Sequence, residues 1–375
     1  MSYLDKLLQG APVEWKPLKE VVKTIIAPIK VKKEVYQKVG KIPIVDQGVD
    51  LIAGYTDEEL NTVELDEYVI FGDHSEHIKY IDFEFIQGAD GLKILKSLSD
   101  NTKYIYYAFS NYYKKELSYK RHWTKAKETL LPIPPLSVQE EIVRILDKFT
   151  ALEAELEAEL DCRKRQYEYY RDHLLTVNEQ GLMNNQKVEW KTLGDIGEVK
   201  MCKRILKSET RLEGDIPFYK IGTFGKEANA YISREIYELY RKRYPFPKKG
   251  DILISASGTI GRTVVYNGEP AYFQDSNIVW IDNDESIVSN RYLWHFYKVA
   301  KWFVSGGGTI DRLYNDNIRK TKIPVPPIEE QERIVEILDK FDTLAHSISE
   351  GLPKEIELRK KQYEYYRDQL LSFNG

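Results

Sequence analysis

The chain has 375 residues, enough for two or three domains with cores of their own. Its 42% hydrophobic content includes no apolar run long enough to span a bilayer, and "MSYLDKLLQG" lacks the basic-then-apolar order of a signal peptide, so the sequence predicts no membrane association and a cytoplasmic location. The net charge of −4 does not exclude nucleic acid, because residues 139–172 hold ten acids against six bases and residues 329–369 eleven against seven, while residues 173–328 hold 23 bases against 18 acids.

The chain opens with "YLDKLL" at Tyr3 and "VEWKPL" at Val13. A first domain follows over 13–135, with "IPIVDQGVD" and the polar stretch "FGDHSEHIKY". Histidines 74 and 77 lack nearby cysteines, and Cys162 and Cys202 are too few for a disulfide framework or a cysteine-based zinc site, so no metal is expected. "YKRHW", Tyr119 to Trp123, mixes bases with aromatics, and Trp123 reads as core. Prolines 134 and 135 in "LPIPPLSVQEEIVRILDKFTAL" exclude helix there, and Ser137 with Glu140 fits a capping box. Apolar residues at helical spacing then run from Ile142 to Leu174. The pattern is too long for an ordinary globular helix and predicts coiled-coil pairing.

A second copy of nearly everything follows. "RKRQYEYYRD" at Arg163 returns as "RKKQYEYYRD" at Arg359, "VEWKPL" as "VEWKTL" at Val188, and the proline–helix segment as "IPVPPIEEQERIVEILDKFDTL" at Ile323, with Glu329 and Glu330 suiting a helix start. "YRDHLL" at Tyr170 and "YRDQLL" at Tyr366 echo the opening "YLDKLL". Gly351 and Pro353 interrupt the second stripe, which also includes Ile348, and predict a kink or break. The first copy contains "LEAELEAEL", a four-residue unit used twice. Between the copies lies an unlike domain over 188–327, with "IPFYKIGTFG", short β-type runs around "SASGTIGR", and "YLWHFYKVAKWFV" at 292–304, which reads as a buried helix.

The order predicts an α+β chain in five parts. These are an N-terminal segment 1–12 like the end of a repeat helix, a domain 13–135, a central helix and linker 136–187, a domain 188–327 and a C-terminal helix 328–375. Two equivalent helices in one chain are expected to pair antiparallel, in a pseudo-twofold arrangement with the two domains at opposite ends. The Gly-rich "GGGT" at 306–309 lacks a following Gly-Lys-Ser/Thr, which argues against nucleotide binding. No Asn/Asp-Pro-Pro-aromatic motif is present, since "IPPL" and "VPPI" lack the acid or amide. Glu14-Trp15-Lys16 and Glu189-Trp190-Lys191 match half of a nuclease motif without its other acids, and read as the first strand of each domain.

The duplicated "IPxPP…Q…I…ILDKF" and "RKxQYEYYRD" segments, alternating with unlike domains, resemble the specificity subunit of type I restriction–modification systems over nearly the whole chain. The resemblance implies a non-catalytic subunit without a cofactor. It further implies two target recognition domains, each reading one half of a split, asymmetric site in double-stranded DNA. The repeated helices then dock two adenine methyltransferase subunits and, through them, restriction subunits. The other reading is a coiled-coil adaptor whose variable domains bind a protein or a glycan; specific DNA affinity separates the two.

Candidate DNA contacts in the first domain are Gln47, His74, Ser75, His77, Lys79, Lys120 and Arg121. In the second domain they are Lys220, Thr223, Ser255, Ser257, Thr259, Arg262, Gln274 and Asn277. Hydroxyls and bases there suit phosphates, and amides suit adenine edges, while Gly258 and Gly261 permit close backbone approach. Docking candidates are Arg163, Lys164, Tyr167, Tyr170 and Arg171, with Arg359, Lys360, Tyr363, Tyr366 and Arg367 in the second copy. The tyrosines also suit plain helix packing, but packing alone does not explain why the charges repeat. "GDILISASGTIGR" resembles the family's loop; the first domain departs from it with "FGDHSEHIKY".

Overall fold

The computed structural model describes residues 3–303, 312–347 and 349–373. The expectations at Val304, at Gly306–Thr309 and at Ile348 lie outside the described residues. Two compact units emerge: Met1–Glu157 together with Glu355–Gly375, and Ala158–Lys354.

In the first unit a four-stranded antiparallel sheet runs in the order Val22–Ile25, Leu92–Ser97, Tyr68–Gly72, Ile78–Ile81. A three-stranded sheet runs Gly54–Thr56, Ile42–Val45, Ile86–Gln87, its last pair parallel. The second unit repeats this with different residues. Its four-stranded sheet is Gly197–Lys200, Ile278–Asn283, Ile252–Ser255, Thr263–Val265, and its three-stranded sheet is Tyr231–Ile232, Ile216–Tyr219, Tyr272–Phe273, again with the last pair parallel. The domains are therefore unlike in sequence and alike in topology. The fold is α+β: the central strands are fully buried, and Val69–Phe71 and Leu253–Ile254 have no exposure at all.

The repeated tryptophan segments form short strands, as expected. Glu14–Pro17 pairs antiparallel with Leu130–Ile133, and Glu189–Thr192 with Lys322–Val325. The proline-rich stretches are thus partners of the tryptophan strands, which their prolines permit because each ribbon has only two strands. After them the central helix runs Leu136–Leu174, and the second copy is divided into Ile328–His346 and Leu352–Leu370. Gly351 sits at φ +89° at this break, where a Cβ would lie 2.5 Å from the Thr343 carbonyl oxygen. The capping-box expectation is corrected: the central helix starts one residue before Ser137, and the Pro135 carbonyl accepts from the N–H groups of Val138 and Gln139. The helix expected over 292–304 is shorter as well. It spans Asn290–Tyr297, after which the N–H of Val299 bonds to the carbonyl of Phe296, a tightened turn that ends the helix.

Each repeated segment forms a socket for one helix of its neighbouring domain. In the first unit that helix is Thr102–Tyr112. The Tyr104 hydroxyl donates to the Pro132 carbonyl at 2.8 Å, Gln139 accepts from the Asn101 N–H and donates to Pro134, and Asp147 takes Lys103 and the Tyr107 hydroxyl. In the second unit Tyr292 donates to Pro324 at 2.8 Å, Gln331 accepts from the Ser289 N–H and donates to Pro326, and Asp339 takes Arg291 and His295. The repeated proline, glutamine and aspartate thus hold one segment pattern in two unrelated sequences: a capping Asn or Ser, a base, a tyrosine, and a Tyr or His.

Within each unit the helices pair antiparallel. In the first, Phe149 stacks on Tyr366 at 5.1 Å, while Glu153 and Glu157, further along, meet Lys360, which lies earlier. In the second, Tyr170 stacks on Phe341 at 5.0 Å, while Tyr167, earlier, meets His346, later.

Candidate nucleic-acid interface

Three backbone bonds superpose the two domains residue by residue. The Gly72 N–H meets the His77 carbonyl at 2.9 Å, as Ser255 meets Arg262 at 2.9 Å. Asp73 N–H meets Gly91 at 2.6 Å, as Ala256 meets Asn277 at 2.8 Å. His122 N–H meets Asp73 at 2.8 Å, as Leu313 meets Ala256 at 2.8 Å. The stretch "FGDHSEHIKY" is therefore the same hairpin as "SASGTIGR", shorter by two residues. Arg262 corresponds to His77, and Arg121 to Arg312.

In the first domain two buried acids fasten the basic loop 113–123 to this hairpin. Asp73 accepts from the N–H groups of His122 and Trp123 at 3.0 and 2.8 Å. Glu76 accepts from the Tyr113 hydroxyl at 2.6 Å and from the N–H groups of Glu116 and Leu117 at 2.9 and 2.8 Å. Burial alone would raise the Glu76 pKa, but these donors outweigh it and hold the carboxyl below its ordinary range. Glu116, between Lys120 and Lys125, is held down at about 2 by those two ammonium groups. Trp123 packs on Phe71 in the core, as expected, with ring centroids 5.9 Å apart.

The loop carries Lys120 and Arg121 on the surface, with Tyr119, 92% exposed, stacked against His74 at 5.5 Å. Gln47 accepts from the His74 N–H and donates to the Asp90 carbonyl, both at 3.2 Å, and the Ser75 hydroxyl donates to the Gln47 carbonyl. Gln47, His74 and Ser75 are thus brought together. His77 is half-buried, and burial, then Lys115 and Lys79, lowers its pKa. Lys79 is 5% exposed and donates to the backbone carbonyls of Asp46 and Asp50. Its ammonium is spent on holding the Gln47 loop, and burial lowers its pKa. Sequence periodicity could not reveal this, since the bonds reach back about thirty residues.

In the second domain Ser255 is fully buried; its hydroxyl donates to the Thr259 carbonyl and accepts from the Arg262 N–H, so it shapes the hairpin. The Arg262 guanidinium donates to the Ile221 carbonyl at 3.0 Å and lies over Phe224 at 5.4 Å. Gly261 has φ +79°, and a Cβ there would strike the Trp302 indole at 2.5 Å. Thr259 is exposed at the tip, and Ser257 donates to Asn277 at 3.0 Å. The Gln274 amide oxygen accepts from the Ile221 N–H at 2.9 Å, and Thr223 closes its own turn on Lys220.

Lys220, Gln274 and Asn277 line a polar cleft of about 330 Å³ together with Arg204, Lys207 and Arg312. Asp275 is the single acid among the described residues that line it and pairs with Arg204 at 2.8 Å. Arg312 donates to the Ser276 carbonyl at 3.1 Å. The sequence reading missed Arg204, Lys207, Arg312 and Tyr119. For Arg312 the signal was available only as its alignment with Arg121, which needs the fold. Four cations around two amides make a surface suited to phosphates beside base edges. Among the described residues no group of three or more His, Cys, Asp or Glu is placed to hold a metal ion, and no helix is long and apolar enough to cross a membrane.

On the repeated helices, Tyr167, Tyr363 and Tyr366 pack inward, with Tyr167 only 3% exposed, while Tyr170 stacks on Phe341 and stays 37% exposed. Arg163 pairs with Glu159 and Gln166, and Arg359 with Glu355 and Gln362 in the same way. Arg171 and Arg367 each bond the next aspartate and lie over Tyr167 and Tyr363. Lys164 is exposed. The rings most open to solvent are Tyr169 and Tyr365, 64% and 61% exposed, which were not among the docking candidates; helix packing, the plain reading of the tyrosine cluster, does not hold for Tyr169.

The type I restriction modification DNA specificity domain matches residues 12–161 and again 185–358. A Haemophilus influenzae protein that carries the name of a type I restriction enzyme specificity subunit is 49% identical over all of this chain and 99% of its own length. The Escherichia coli EcoR124I/EcoR124II specificity subunit is 38% identical over all of this chain and 97% of its own. The crystal structure of a type I restriction–modification S subunit from M. genitalium has the same fold, with a TM-score of 0.60 at 17% identity over the full length of both chains. The chain belongs to the type I restriction–modification specificity family, and is a non-catalytic DNA-recognition subunit with two recognition domains.

Proposed function

We propose that each unit reads one half of an asymmetric, two-part DNA site, with recognition domains spanning 13–135 and 188–327. The repeated helices dock two adenine methyltransferase subunits, which in turn bring the restriction subunits. This complex works in the cytoplasm. The observation that carries the reading is the shared position of Arg121 and Arg312, each one residue before the N–H that bonds the hairpin. One arginine per domain at the same place, beside one hairpin built from different residues, suits two copies of one contact on different sequences. Gln47, His74, Ser75, His77, Lys120 and Arg121 form the contact set of the first domain. Lys220, Thr223, Ser257, Thr259, Gln274, Asn277 and Arg312, with Arg204 and Lys207, form that of the second. Lys79, Ser255 and Arg262 hold those sets in place from behind.

The test is binding of the methyltransferase complex to DNAs with either half-site scrambled. Arg312→Ala should weaken binding by about 1–3 kcal/mol if it reads a base edge, and only on DNAs that keep the second domain's half-site. If it meets a phosphate, the log–log salt slope should fall by about 0.9. Arg121→Ala should do the same for the other half. Equal losses on both scrambled DNAs would remove the arginines from local reading.

A further inference from the structure

The two units treat one position very differently. In the first, Trp15 is half-buried beneath aromatic neighbours: Tyr112 meets it edge-on at 5.3 Å, and the Tyr112 hydroxyl donates to the Leu371 carbonyl. It also accepts from the Phe373 N–H at 3.3 Å, and Phe373 is itself only 9% exposed. In the second unit the corresponding tryptophan, Trp190, is 54% exposed and borders an apolar groove of about 860 Å³. The residues that fill the first unit are cut down here. After the repeated "YRDxLL", Ser372-Phe373 becomes Thr176-Val177. Counted from the socket tyrosines 104 and 292, Tyr112 becomes Ala300. Two rings are missing, and the groove between Leu175, Val177, Trp190, Phe296, Ala300 and Pro324 remains.

What filled the first unit indicates what fits the second: one or two aromatic rings. The rim indicates what surrounds them. Among the described residues that line the groove, Lys301, Lys320 and Lys322 are basic and none is acidic, so the complement is acidic. The groove also begins at Leu175, directly after the repeated "RKRQYEYYRD" helix. We propose that this groove receives an aromatic side chain with acidic neighbours from one docked methyltransferase subunit, and that the filled first unit offers no such pocket. The two docking positions are then unequal. This rests on the docking role assigned to the repeated helices above.

The experiment uses the full chain and the purified methyltransferase subunit. Oxidative footprinting should find Trp190 reactive in the free chain and protected once methyltransferase is bound. Val177→Phe with Ala300→Tyr, which copies the first unit, should weaken one of two binding steps at least tenfold and leave the other unchanged. Trp190→Ala, at an already exposed side chain, should give the same one-step loss should the filled variant fold poorly. Two steps unchanged in these variants, or Trp190 reactive in the complex, overturn the groove proposal and leave docking intact. Trp190 protected already in the free chain also overturns it. Failure of the unaltered chain to bind any methyltransferase overturns the docking reading and this proposal with it.

Discussion

Asp147 and Asp339 occupy the same place in the repeated "ILDKF", yet one accepts from a tyrosine and the other from a histidine. His295 has no exposed surface, and its Nε2 lies 2.7 Å from Asp339. Arg291 and Lys298 face the same cluster, and Lys298 also bonds Asp342 and the Tyr167 hydroxyl. Burial is the main cause that lowers the His295 pKa below 6.5; Lys298 and Arg291 add to it, and Asp339 opposes it. A base with a lowered folded pKa binds its proton more readily when unfolded. The stability it supports is therefore complete above pH 6.5 and lost as pH falls through the folded value. His295→Tyr copies the first unit and removes that titration. The melting temperature of the second unit should fall more steeply between pH 7 and pH 5.5 in the natural chain than in this variant, which calorimetry can resolve. Parallel curves would mean that His295 does not titrate across folding. The burial of this histidine follows from the apolar segment 292–304 that holds it, but its partner was not legible from the sequence, because Asp339 lies 44 residues away.

At the scale of elements the sequence was legible wherever local chemistry decides. The central helix, the break at Gly351, the strands opening with Glu-Trp-Lys and the antiparallel pairing all follow from periodicity, glycine, proline and duplication. What it hid were long-range matters: the shared topology of two unlike domains, the pairing of the proline-rich stretch with the tryptophan strand, and the burial of Lys79 and Ser255. The decapeptide shows both sides of this. Its inward tyrosines explain part of the repetition as packing, and its arginines form the same intrahelical pairs in both copies. Neither demand reaches Tyr169 or Tyr365, which are exposed and still repeated. Exposed tyrosines are favoured at interface hot spots. Tyr169→Ala with Tyr365→Ala should cost about 2 kcal/mol or more in methyltransferase affinity while moving stability by no more than about 0.5 kcal/mol. Tyr167→Ala should instead destabilise the fold by about 3 kcal/mol, since it removes a ring that is only 3% exposed and packs on His346. Titration calorimetry and chemical denaturation read the two quantities separately. Unchanged affinity in the double variant would return the decapeptide to packing alone.

For the whole molecule, what matters is the spacing between the two half-sites proposed above. The central helix has 39 residues, about 58 Å at 1.5 Å each. The boundary between the compact units falls at Glu157, inside "LEAELEAEL", and again at Lys354, just beyond the break in the second copy. If the helices set the gap between half-sites, this is where its length is written. One further Glu-Ala-Glu-Leu after Leu156 adds about 6 Å and slightly more than one helical turn, so the apolar stripe nearly keeps its register. The second copy can follow if the connection between His346 and Leu352 gains the same four residues. Each unit keeps its own residues and contacts, so both half-site sequences should be unchanged. The unspecified gap should widen by about one or two base pairs, given roughly 3.4 Å per base along a strand, with bending of DNA taking up part of the difference. Mapping methylated adenines in cells carrying the variant reads both quantities at once. A wider gap between the same half-sites supports the helices as the spacer. An unchanged gap with altered half-sites would mean that spacing is set within the recognition domains and that the helices serve docking alone.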